Sequence, residues 1–384
     1  MKDKFYYMDN AATSFPKPEC VYEAIDYFNR NMGGNPGRGS SHQTLEASSV
    51  LMEARNHLAD LFNIKDSLQI AFTSNVTEAI NIALKGLLKS GDHVITTSLE
   101  HNAVARPLYV MSRRGIEWTT VPCTPYGELD PEAIRRSIRS NTRLICMLHA
   151  SNVVGSIMPI KEAGKIAREQ GIFFMVDAAQ TAGVLPIDVE DDGIDILCFT
   201  GHKALLGPQG TGGIYVRPGL TLQTLKEGGT GSLSEDLEHP SIMPDHLEAG
   251  TLNTPGIAGL LAGVRFIEQE GLATIRGHEK SLSKLLMEGL RDIPGIRLYG
   301  PGDADKQTAV IAFNVQGMDC GDLSFHLDHD YNIVTRSGLH CAPLAHSALG
   351  TLEEGACRLS LGYFSTEEEV EYVVKAVADI AARA

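Results

Sequence analysis

At 384 residues the chain exceeds what one hydrophobic core usually serves, since single cores stop growing near about 250–300 residues, so two domains are expected. Its 33 basic and 48 acidic residues leave a net charge of −15, which disfavours nucleic acid or an anionic membrane as a direct partner. Seven cysteines, an odd count with no C-x-x-C pair, argue against both a disulfide framework and a zinc site, so no metal is expected and some thiols are free.

In chain order, the start Met1-Lys2-Asp3-Lys4-Phe5-Tyr6-Tyr7 lacks the apolar core of a leader, and no apolar stretch approaches the ~18 residues of a membrane span. A cytoplasmic protein is expected. Residues 69–72 read as a short strand, and Thr73-Ser74-Asn75-Val76-Thr77-Glu78 leads from it into an apolar helix over 79–88. Such a turn aims free amides and hydroxyls outward, which suits a phosphate, although an ordinary capping segment has the same sequence. Strands follow over 94–97, 144–148, 172–176, 194–199 and 213–216, with helices such as 160–169 between them. That alternation predicts a mostly parallel sheet covered on both faces. Ligands then bind beyond the carboxyl ends of the strands, where His101, Asn152, Asp177 and Lys203 all fall.

A carboxylate at the end of a buried strand, as at Asp177, needs a cationic or hydrogen-bonding partner. A protonated pyridine nitrogen is one such partner; a helix N-cap over Ala178-Ala179 is the plainer alternative. In Thr200-Gly201-His202-Lys203 a lysine stands at the mouth of an apolar strand ahead of a glycine-rich turn. Desolvated and held still, its amine would capture a carbonyl; a solvated surface lysine is the usual fate of the residue type. The stretch 228–244, rich in Gly, Ser and Pro, reads as a mobile or subunit-contacting loop. In Glu248-Ala249-Gly250-Thr251-Leu252-Asn253-Thr254-Pro255-Gly256, small and hydroxyl residues precede a helix. They suit either an anion or a cap by Asn253 or Thr254. Helical residues run from 256 to about 290. Strands at 308–315, 333–336 and 358–361 and a helix over 366–382 then predict a smaller α+β unit.

Among the thiols, Cys146 and Cys198 lie inside apolar strands and read as core, and Cys20 lies in a helical stretch. Cys341 differs: it sits in a loop after His340 and before Ala342-Pro343. A neighbouring imidazole or the Arg336 guanidinium would favour its thiolate there. Arg358 is either a surface arginine at a strand start or a bidentate partner for a carboxylate.

Asp177-Ala178-Ala179-Gln180, Thr200-Gly201-His202-Lys203, Ser98-Leu99-Glu100-His101-Asn102 and Arg336-Ser337-Gly338-Leu339-His340-Cys341-Ala342, in this order and spacing, resemble the cysteine desulfurase and selenocysteine lyase family. These are class V aminotransferase-like enzymes of pyridoxal-phosphate (PLP) fold type I. The resemblance runs from Tyr7-Met8-Asp9-Asn10-Ala11-Ala12-Thr13 to Cys357-Arg358-Leu359-Ser360. It implies an α/β large domain over 15–260 and a small domain over 1–14 and 261–384, with the N-terminal segment near the active site.

The resemblance also implies the roles. Lys203 would hold the cofactor covalently and act as base at Cα, Asp177 would face the pyridine nitrogen, and Gln180 the ring's phenolic oxygen. His101 would stack on the ring, where otherwise a strand-end histidine bonds to backbone. The phosphate would fall to Asn75, Val76, Thr77, Thr200 and His202, and to Thr251 of a neighbouring protomer in a homodimer with shared sites. Ala11, Asn152 and Arg358 would bind substrate. Cys341 would take sulfur from L-cysteine as a persulfide, releasing alanine, and pass it to a protein acceptor. L-selenocysteine is the nearest alternative substrate; an aminotransferase or another PLP lyase that leaves Cys341 idle is the alternative class. Relatives often carry a second threonine where this chain has Val76 and a second histidine where it has Leu339. The short segment 336–343 resembles the subgroup whose cysteine stands on a brief, sheltered loop.

Overall fold

The computed structural model describes residues 5–37, 39 and 41–384; Met1 to Lys4, part of the stretch behind the expectation of no leader, lie outside the described residues. β1 (Tyr6–Tyr7) leads through α1 (Glu19–Asn31) and α2 (His42–Leu61) to β2 (Ile70–Thr73) and α3 (Val76–Leu87). β3 (His93–Thr97), α4 (Asn102–Ser112), β4 (Glu117–Val121), α5 (Pro131–Arg136), β5 (Thr142–Leu148), α6 (Ile160–Gln170) and β6 (Phe173–Asp177) continue the alternation. β7 (Ile196–Thr200) and β8 (Gly212–Val216) complete a seven-stranded sheet of order β2-β8-β7-β6-β5-β3-β4. β3 to β7 pair in parallel, and β8 alone runs against both of its neighbours.

The central strands are buried on both faces, hence their continuous apolar runs. One face packs against α2, α6 and α7 (Thr254–Glu270), the other against α3 and α4. β4 escapes the sequence reading because it is an edge strand, largely half-exposed, whose Glu117-Trp-Thr-Thr-Val run carries no apolar signal. The helical run expected from 256 to 290 is two helices: at Gly271 (φ 82°) α7 stops and α8 (Leu272–Arg291) begins. The boundary drawn at 260–261 therefore falls inside α7, which packs on the large unit together with α1 and α2.

The second unit has its own core under α8, α9 (Cys320–Tyr331) and α11 (Glu367–Ala381). Its sheet has the order β12-β13-β10-β9, built from β9 (Ile296–Tyr299), β10 (Val310–Val315), β12 (Arg336–Gly338) and β13 (Ala356–Ser360). β1 pairs in parallel with β11 (Ile333–Val334), and Met8 is buried in this second core. The chain's first residues are thus fixed to its last third, a pairing that local sequence does not announce. A short helix, α10 (Pro343–Leu349), follows Cys341. Among the described residues no helix is long and apolar enough to cross a membrane, and all seven cysteines are free thiols.

Candidate functional site

Because β2, β3, β5, β6 and β7 point the same way, their carboxyl ends deliver the site to one edge. Asp177 is the last residue of β6 and is buried. Its Oδ1 accepts from the Ala179 amide at 2.9 Å, and a turn rather than a helix follows, so the N-cap alternative fails. Burial raises its pKa, while the Ala179 amide and the Lys203 charge oppose the rise. Lys203 lies on the loop between β7 and β8, strands held antiparallel with Thr200 opposite Gly212. Burial draws its amine down to about 8, against the pull of Asp177 and with the help of Arg358 and Arg336.

His101 follows β3 as the N-cap of α4, and its Nδ1 accepts from the Ala103 amide at 3.0 Å. The backbone-bonded strand-end histidine of the sequence reading is therefore what one ring nitrogen does. Burial and the nearby Lys203, Arg336, Arg106 and Arg358 charges hold the ring neutral, with a pKa near 4. A neutral ring accepting at Nδ1 keeps its proton on Nε2.

At the other end, Asn75 caps α3 by accepting from the Glu78 amide at 3.0 Å, which leaves the Val76 and Thr77 amides at a helix start. Buried Thr200 donates to the Thr211 carbonyl at 3.3 Å, and His202 has a buried Nδ1 with no hydrogen-bond partner. The Gly212 backbone lies against Asn75, where a Cβ would come within 2.9 Å of the Asn75 Cα. First-turn amides, a hydroxyl, an orphaned imidazole nitrogen and a close backbone approach fit a phosphate. Asp177, Lys203 and His101 fit the pyridine nitrogen, the aldehyde and the ring face. The residues present thus match pyridoxal phosphate at both ends.

The second unit and the N-terminal segment close the site. Arg358 is 1% exposed and sits in the middle of β13, which overturns the surface alternative. It donates from Nη1 to the Asn152 carbonyl at 2.8 Å and pairs with Asp9 through Nη2, while its buried Nε has no partner. Arg336 lies opposite it in the β12–β13 register. Gln180 donates to the Ala11 carbonyl at 3.1 Å, and Ala11 shares a cavity with Lys203 and Gln180. The Asn152 side chain is committed to the His340 carbonyl at 2.8 Å.

Cys341 is exposed, and Arg336 Nη2 lies 3.5 Å from its Sγ. Its carbonyl accepts from the Asn102 amide at 2.8 Å, so the loop is tied to the ends of both β3 and β5. Two expectations change here. The single chain does not shelter the thiol, and the neighbouring imidazole does not serve it. His340 is engaged instead with the Arg336 carbonyl and with His346. Thr251 is exposed as well; it lines a hollow of about 220 Å³ with Thr73, Ser74 and Lys226, away from Lys203. Sequence reasoning missed Asp9, although it lies inside the quoted Tyr7–Thr13 motif, and missed Lys17. Lys17 Nζ donates to Ser14 Oγ at 2.6 Å and to the His202 carbonyl at 2.9 Å, pinning the N-terminal segment beside Lys203.

The model of the family described as aminotransferase class-V matches residues 6–373. A protein of Methanothermobacter thermautotrophicus named probable cysteine desulfurase is 35% identical over 98% of this chain and 94% of its own length. Cysteine desulfurase IscS of Clostridium botulinum is 32% identical over 98% and 94%. Among solved structures, the apo cysteine desulfurase of Thermococcus onnurineus superposes with a TM-score of 0.93 at 34% identity, covering 99% of this chain and 95% of that one. The Escherichia coli cysteine desulfurase CsdA gives 0.89 at 29% identity, covering 100% and 96%.

Proposed function

The chain belongs to the class-V aminotransferase family, and from that premise we propose that it is a pyridoxal-phosphate-dependent cysteine desulfurase that moves sulfur from L-cysteine to Cys341 and on to a protein acceptor. The observation that carries this reading is the thiol itself. Cys341 is exposed, contacted by a guanidinium and tethered to the strand ends that bear His101 and Asn152. An aminotransferase has no use for such a group.

Bound cofactor supplies an electron-withdrawing ring that acidifies the substrate Cα. Asp177 would keep the pyridine nitrogen protonated, and His101 would lie on the ring face with its proton on Nε2. Val76 and Thr77 amides, Asn75, Thr200 and His202 would hold the phosphate. Arg358, through its unpartnered Nε, would take the substrate carboxylate beside Asn152 and Ala11. Lys203 Nζ, drawn down to about 8, takes the Cα proton near neutral pH. Cys341 Sγ then attacks the substrate sulfur. The new Sγ–S bond would form as the Cβ–S bond breaks with the bonding pair staying on carbon; protonation at Cβ and return of the Cα proton from Lys203 then give alanine, leaving Cys341 as the persulfide.

L-selenocysteine would meet the same residues. We also place the protein in the cytoplasm as a homodimer, in which Thr251 of one subunit would reach the phosphate bound by the other. The free thiols support the first reading and the exposure of both Thr251 and Cys341 supports the second.

The test supplies L-cysteine and a reductant, without a 2-oxo acid, to the holoenzyme. Equal yields of alanine and sulfide are expected. Cys341→Ala should keep the cofactor and its colour change on adding cysteine, yet lose at least about 100-fold in alanine formation, since the group removed acts only in the chemical step. A requirement for a 2-oxo acid, or a parental rate in Cys341→Ala, rejects the reading.

A further inference from the structure

α10 carries a buried histidine, His346, to which nothing above gives a task. Its ring meets that of His340 edge to edge, with centroids 5.4 Å apart and planes inclined by 13°. His346 Nε2 lies 3.2 Å from His340 Nδ1, and His346 Nδ1 lies 2.8 Å from Thr351 Oγ1. At the far end, His340 Nε2 is 3.2 Å from the Arg336 carbonyl.

That carbonyl can only accept, which fixes the polarity of the whole chain. His340 carries its proton on Nε2, and burial keeps the ring neutral, with a pKa near 3. Its Nδ1 is therefore bare and accepts, so His346 must donate from Nε2. Burial lowers the His346 pKa against the opposing pull of the Thr351 backbone, and in the neutral ring Nδ1 accepts from the Thr351 hydroxyl, whose other contact, at 3.5 Å, is the His346 carbonyl. With both rings neutral, one arrangement of protons satisfies all four groups.

What this chain restrains is an unfavourable turn. His340 and Cys341 are consecutive non-glycine residues in the left-handed region, with φ of 51° and 57°. Such residues are disfavoured by sterics and persist only where surrounding bonds over-determine them. The Asn152 amide and the Asn102 N–H hold the two carbonyls. The His340 ring holds the Arg336 backbone, whose guanidinium reaches Cys341 Sγ. We propose that His346, backed by Thr351, is a positioning residue for the sulfur-accepting thiol: it locks His340 as the Nε2–H tautomer and so fixes the turn that sets Cys341 beside Arg336. The proposal rests on Cys341 being the sulfur acceptor. It also takes His340 out of the role of base for that thiol, because both ring nitrogens are engaged elsewhere, with His346 and with the Arg336 carbonyl.

Four holoenzyme variants test it: His346→Leu, His346→Gln, Thr351→Val and Thr351→Ser. The glutamine keeps an N–H directed at His340 Nδ1, and the serine keeps the hydroxyl. His346→Leu should lower kcat by ~10–100-fold, the cost expected of a catalytic group displaced by about 1 Å, with KM for cysteine and the cofactor spectrum within about twofold of the parent. His346→Gln should recover most of that loss, and Thr351→Val should fall further than Thr351→Ser. In long-range ¹H–¹⁵N spectra of histidine-labelled holoenzyme, the parent should show His340 and His346 as neutral Nε2–H rings, and His346→Leu should lose that fixed state at His340. A parental kcat in His346→Leu, an equal fall in His346→Gln, or an Nδ1–H ring at His340 overturns the proposal. If His346→Leu does not fold, the glutamine, valine and serine variants and the parent spectrum decide it alone. A parental rate in Cys341→Ala would sink the desulfurase reading, while the spectrum would still report the tautomers.

Discussion

Lys203 has to be unprotonated to add to an aldehyde, whereas a solvated lysine is almost wholly protonated near neutral pH. Burial resolves this by lowering its pKa from 10.5 to about 8. Below pH 8 the reactive fraction changes tenfold per unit, and above it the fraction saturates. Capture of pyridoxal phosphate by cofactor-free protein should therefore accelerate about tenfold from pH 6 to 7 and level off above about 8. A surface lysine would keep accelerating past pH 10. Stopped-flow absorbance follows the reaction, and borohydride reduction should leave the label on the Lys203 peptide. A rate still climbing at pH 10, or label on another lysine, would show that the amine is not the buried one.

The hairpin from β7 to β8 is the element that makes the site compact. β8 reverses direction, so its first residue, Gly212, stands opposite Thr200 and against the start of α3. A side chain there would come within 2.8 Å of the Phe199 carbonyl and 2.9 Å of the Asn75 Cα, both backbone atoms that cannot swing aside. Gly212→Ala should cost roughly 1–3 kcal/mol as an overpacked contact. It should also weaken cofactor binding by about tenfold, because the α3 amides shift from the phosphate. Equilibrium dialysis at a temperature where both proteins are folded separates the two effects. Parental affinity would mean that α3 does not serve the phosphate.

At the scale of the molecule, the two units meet through charge as much as packing. Buried Arg358 joins Asp9 of the N-terminal segment to the Asn152 carbonyl in the turn after β5. Elsewhere the buried Arg55–Glu248 pair, with Glu248 also accepting from the Phe72 amide at 2.6 Å, anchors the segment that carries Thr251 to β2. A rigid base under an exposed threonine is what a shared site needs. Mixing Lys203→Ala with Thr251→Asp and letting subunits exchange should restore roughly a quarter of parental activity. Half of the dimers are then mixed, and each of these holds one intact site of two. No recovery, or a fully active monomer in solution, rejects the shared site.

Sequence by itself determined the alternation of strand and helix, the strand ends that bear Asp177, Lys203 and His101, and the short loop of Cys341. Those follow from local apolar runs and from motifs only a few residues long. It could not place Arg358 mid-strand in the site or pair β1 with β11. The partners that decide those features lie up to 350 residues away, as with Asn10 and Ser360. Nor could it say which nitrogen of which histidine carries a proton. His101 and His340 both stand beside a motif residue, yet one is oriented by a helix start and the other by a carbonyl and a second buried ring. Tautomers are settled by what surrounds both sides of a ring, and only the folded chain brings those surroundings together.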